Sequence, residues 1–135
     1  MIQKTEVMPL LVEACPSFRE AWNERISQPD HDAALLYEGL GELAGHLVQL
    51  LRRGETSELS ALFVVVERLH LDGEHYVREA ATIGLLEGIQ NIAGNTGVDP
   101  NAFREFLGPE STKWWDELNR FWNGQSPYVG AGLKK

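Results

Sequence analysis

Glu67 and His70 stand three residues apart in VVERLH. At that spacing a carboxylate and an imidazole share one helical face, and the pair is one of the two Glu-x-x-His units of a di-iron carboxylate site, which also needs two further glutamates. Glu38, Glu42 and His46 follow one another at steps of four and also share a face, and His75 comes just after Gly73 at a helix start. Four-helix di-iron sites need two Glu-x-x-His units, and only one is complete here, because Glu42 and His46 are four apart. Spacings this short recur by chance. The favoured reading is a solvated charged face with local pairs, requiring no metal and no cofactor.

Cysteine catalysis needs a thiol activated by a neighbouring histidine. Cys15 sits beside Pro16 at a helix end, where apolar packing of a free, inert thiol is expected. No serine lies in a Gly-x-Ser-x-Gly turn, and the glycines of GELAG (41–45) and GIQNIAG (88–94) fall within or at the ends of helical patterns, not in a phosphate cradle. The carboxylates Asp30, Asp32, Asp116 and Glu117 sit at capping or solvent-facing positions. No catalytic residue is assigned.

The chain has 135 residues and a net charge of −8, from 12 basic and 20 acidic side chains. Its length suits one domain with its own core. The acidic balance repels phosphate backbones and argues against nucleic acid. No run approaches the ~20 apolar residues of a membrane span. The N-terminal apolar run is short and interrupted by Glu13 and Pro16, unlike a signal peptide. A single cysteine cannot form an internal disulfide, so a reducing compartment, the cytoplasm, is expected.

Hydrophobic periodicity predicts an all-α domain over 1–124, with six or seven mostly antiparallel helices in an irregular α–α stack or bundle, and a tail over 125–135. The expected helices are 5–14, 17–27, a leucine-striped third helix, about 56–72, about 74–94, a short one after Asp99-Pro100, and about 110–123. Leu36, Leu40, Leu43, Leu47 and Leu50 form the stripe of the third, with Asp30 or Asp32 as its cap and Gly54 as its stop. Gly41 and Gly45, four apart, suggest a close helix approach there. Thr56 or Ser57 is the expected cap of the fourth helix. Phe63–Val66 is strand-like in composition, yet the helical period continues on both sides. The 74–94 helix is apolar on two faces, so a central position is expected.

Two groups stand out as candidate binding residues. One is Glu87 with Gln90 and Asn91; Glu87 and Asn91, four apart, lie on the second face of that central helix, where polar groups need partners. Trp114 and Trp115 are adjacent, about 100° apart on a helix, so they cannot both enter one core. Trp115, Leu118, Phe121 and Trp122 are expected to share the apolar face.

AATIGLLEGIQNIAG (80–94) followed by FREFLGPESTKWWDELNRFW (103–122) resembles a family of short uncharacterised bacterial proteins. In that family a Gly-Leu-Leu-Glu-x-x-Gln-Asn helix precedes a Phe-Leu-Gly-Pro-x-Ser-x-x-Trp-Trp segment. The matching residues are Gly84, Leu85, Leu86, Glu87, Gln90 and Asn91, then Phe106, Leu107, Gly108, Pro109, Ser111, Trp114 and Trp115. Its small acidic members are similar to the immunity proteins that accompany bacterial toxins. The resemblance implies a non-catalytic protein that binds another protein, as an immunity-type inhibitor. A metal-dependent enzyme using Glu67 and His70, and a homodimeric structural or regulatory module, are the alternatives.

Overall fold

The computed structural model describes residues 1–27 and 34–122. Among them are seven α-helices, one π-helical stretch and two 3-10 turns, with no strand beyond an isolated bridge between Ile2 and Gly73. α1 (Lys4–Ala14), a 3-10 turn (Pro16–Phe18) and α2 (Arg19–Ile26) form the first arm. α3 (Ala34–Arg52) and α4 (Leu59–Asp72) follow. α5 (His75–Glu79), a π segment (Ala80–Leu86) and α6 (Glu87–Asn95) run on without a break. A 3-10 turn (Pro100–Phe106) leads into α7 (Pro109–Trp122). This is a single all-α domain.

The leucine stripe of α3 is buried along its whole length, as its spacing predicts. α3 packs along the π segment and α6, while α1 covers α4 and α7 closes on the other side of α4. Val77, Ala81, Leu85 and Ile89 are also buried, so the α5–α6 run is central. Leu43 has no exposed surface. Leu43→Ala should therefore cost at least about 2 kcal/mol in chemical denaturation. A loss below about 1 kcal/mol would show that the site collapses around the smaller side chain.

Phe63–Val66 is helical, as the surrounding period requires. Other local expectations need correction. α4 begins at Leu59 with Glu58 at its N-cap position and no side-chain cap, so neither Thr56 nor Ser57 plays that part. The close helix approach is not at Gly41, where a Cβ would meet nothing within 4 Å, nor at Gly45, where it would only graze Ile92 at 3.9 Å. It lies on the partner helix. A Cβ at Gly84 would sit 2.9 Å from Leu40 Cδ1, and one at Gly88 would sit 3.3 Å from the Ala44 Cβ. The small residues that let α3 approach thus belong to the π segment and α6. Gly54 does end α3, with φ +74, and Asp99 does cap its turn, accepting from the Asn101 N–H at 3.0 Å. On α7 the expected four-residue apolar face is only half true. Trp115 and Leu118 are buried, Phe121 is half-buried and Trp122 is exposed. The proposed caps Asp30 and Asp32, and the tail 125–135, lie outside the described residues.

Candidate functional site

Glu67 and His70 are not a charged surface pair. His70 is only 5% exposed, on the face of α4 that meets the π segment and α7. Its Nδ1 is 2.9 Å from Ser111 Oγ and its Nε2 is 3.0 Å from Thr82 Oγ1, and both hydroxyls are buried. One imidazole thereby joins three elements and satisfies two buried hydroxyls at once. Burial pushes the His70 pKa down to about 4, against the opposing pull of the Glu67 and Glu110 charges, so the ring is neutral at pH 7.

Glu67 of α4 caps α7 from outside that helix. Its two carboxylate oxygens accept the backbone N–H groups of Glu110 at 2.9 Å and Ser111 at 2.8 Å, in the first turn of α7. Those N–H groups have no intrahelical partner, and a carboxylate suits the positive end of the helix. Burial works to raise the Glu67 pKa, but these bonds prevail and hold it below the ordinary carboxylate value. Gly108 leaves room for this arrangement, since a Cβ there would lie 2.7 Å from Glu67 Cγ and the carboxylate would have to shift.

The remaining members of the postulated metal face are dispersed. Glu38 and Glu42 both bind Arg25 of α2, and His46 turns toward the first arm. Among the described residues no three His, Cys, Asp or Glu side chains are placed to hold a metal ion.

The two groups singled out as binding residues do meet, through Gln90. The Gln90 amide donates to the Trp115 carbonyl at 3.2 Å, and its carbonyl accepts the Trp122 indole N–H at 3.0 Å. Gln90 and Trp115 are both buried at this junction between α6 and α7. Trp114 is half-buried, with the Lys113 ammonium 5.2 Å from its ring centre. Asn91 is exposed and its carbonyl accepts from Asn95 at 3.5 Å, while Glu87 is half-buried. The exposed large aromatic beside these groups is Trp122, at 51%.

A second cluster escaped the sequence reading. Ser17 Oγ is 2.7 Å from His46 Nε2, and the Ser17 N–H donates to Glu58 Oε1 at 3.0 Å. Cys15 Sγ lies 3.7 Å from the same hydroxyl. Ser17 and Glu58, with Leu50 and residues 54–57, line an open cleft of about 450 Å³. Burial pushes the Cys15 thiol up to about 11, which leaves it inert at neutral pH, as its apolar setting suggested. Ser17 and His46 are 29 residues apart, so no local motif announced the pair.

No helix among the described residues is long and apolar enough to cross a membrane. No curated protein and no solved structure matches the chain. The family whose profile matches residues 8–123 is described as a domain of unknown function, DUF7674, and the chain belongs to it.

Proposed function

We propose that this chain acts by binding another protein, with the C-terminal end of α7 as its anchor. The observation that carries this reading is Trp122. Its ring is half-exposed, its indole N–H is held by Gln90 at 3.0 Å, and Phe121 packs edge-on against it at 5.2 Å. A large aromatic already fixed in orientation loses little entropy when a partner covers it, and tryptophan is enriched among the residues that dominate interface energies. The charge of −8 favours a basic partner, because opposite fields accelerate encounter. The concrete form of this proposal is an immunity-type inhibitor of a bacterial toxin domain, working in the cytoplasm. Exposed Asn91 and half-buried Glu87, on α6 beside Gln90, would flank the anchor.

The direct test is co-expression with the product of the neighbouring gene, followed by affinity measurement on purified proteins. Trp122→Ala should weaken binding about thirtyfold, mainly through faster dissociation. Association should slow as salt rises. Unchanged affinity in Trp122→Ala, with its melting curve intact, would rule out this anchor.

One observation favours self-association as a second reading. Val64 and Leu71, 62% and 63% exposed, lie seven residues apart on the outer face of α4. A solution mass of twice the chain, lost in Val64→Asp, is the result this reading expects.

A further inference from the structure

Ser17 of the first arm, His46 of α3 and Glu58 of the α3–α4 connection come together beside the cleft. We propose that Ser17 and His46 form a nucleophile–base pair that takes a small acyl group from an activated ester. The hydroxyl and the imidazole nitrogen are 2.7 Å apart, within the range for direct proton transfer. Phe18 packs against the His46 ring at 5.4 Å and limits its rotation. Ser17 is exposed and lines the open cleft, so a substrate carbonyl can reach its oxygen from solvent. The cleft, about 450 Å³, has room for a small acyl ester beside Ser17.

The reaction uses the tautomer with its proton on Nδ1, leaving Nε2 as acceptor. Ser17 Oγ bonds to the carbonyl carbon as its proton passes to Nε2. The bond to the leaving alcohol breaks, and the alcohol departs with that proton. Water, giving a proton to Nε2 in turn, then attacks the acyl–serine ester. It releases the carboxylic acid and restores the serine hydroxyl. The balance is ester plus water giving acid plus alcohol.

Glu58 is a positioning residue. It holds the Ser17 backbone through the N–H, and its negative charge favours the imidazolium formed during transfer. In the resting state burial keeps the His46 pKa below its ordinary value. Glu58 opposes that shift, Arg53 adds to it and Glu55 opposes it, so the ring is a neutral base at pH 7.

The reaction is independent of Trp122 and of any protein partner. The test is p-nitrophenyl acetate with the purified full chain, following p-nitrophenolate release and mapping the acetyl group by mass spectrometry. Release above the buffer rate, with acetyl on Ser17, is expected. Ser17→Ala should abolish it, and Ser17→Cys should retain it. His46→Gln should slow it about a hundredfold, the scale of a lost general base. The rate should fall as acidification protonates His46. Release no faster than buffer, acetyl found only at other residues, or Ser17→Ala reacting like the parent chain would each overturn the proposal.

Discussion

Trp115→Ala is expected to destabilise the domain by about 3–5 kcal/mol, the cost of deleting a fully buried aromatic side chain. Trp115 has no exposed surface, and its ring packs against Phe103 at 6.4 Å between centres. Phe103 in turn meets Phe63 of α4 at 6.1 Å. The cavity would open where α7, α4 and the Pro100–Phe106 turn meet, and the surrounding rings are too rigid to fill it. Trp115→Phe should cost much less, below about 2 kcal/mol. It keeps most of the ring, and it removes a buried indole N–H that meets no acceptor among the described residues. Urea denaturation of the two variants checks this. Equal losses would show that volume alone does not set the cost, and a loss below about 1 kcal/mol for Trp115→Ala would remove α7 from the core.

The second large effect is on acid stability. The folded His70 pKa, about 4, lies below the ordinary value of 6.5. An unfolded chain therefore binds a proton that the folded chain refuses, and stability falls with falling pH wherever the unfolded state holds more protons. The contribution is fully present above pH 6.5 and is lost progressively down to pH 4, reaching about 3 kcal/mol. His46 shifts in the same direction, so the comparison must be with a variant. His70→Leu removes the titration but leaves the Ser111 and Thr82 hydroxyls unpaired. It should be less stable than the parent at pH 7 by about 1–3 kcal/mol, and should lose less on acidification. Denaturation curves between pH 7 and pH 5 decide it. Identical slopes for the parent and His70→Leu would show that His70 is not the group whose protonation burial suppresses. Glu67 adds a further loss below the ordinary carboxylate range, since its bonds to the first turn of α7 require the ionised form.

The π segment explains why Thr82 is available to His70. A π stretch widens the helix by one residue per turn and shifts the residues that follow it around the axis. Ala80, Ala81, Thr82, Leu85 and Leu86 are all buried, so this stretch turns two faces inward. One carries Thr82 to α4, and the other carries Gly84 to Leu40 of α3. Both motifs of the family resemblance end in such joints. Ser111 and Trp115 bind back to His70 and Gln90, and Gly108 makes room for Glu67.

The helices and the buried stripe of α3 are legible in the sequence. Those depend on a repeat of 3.6 residues and on local stop signals such as Gly54, and both are written along the chain. The sequence also marks Gln90 and the tryptophans as candidate binding residues, but it reads Glu67 and His70 as part of a solvated charged face. Their roles follow from what they meet in the fold. A three-residue spacing places Glu67 and His70 on one side of α4, but it carries no information about what faces that side. The partners proved to be the α7 N-terminus, Ser111 and Thr82, up to 44 residues away, and so a candidate metal face became a helix cap and a buried neutral bridge. The same holds for Trp122, whose exposure depends on where α7 runs past Gln90, and for Ser17 and His46, which meet only because the first arm folds back across α3. Helical period is a local property of the chain, whereas burial, pairing and pKa are set by neighbours that sequence distance does not reveal.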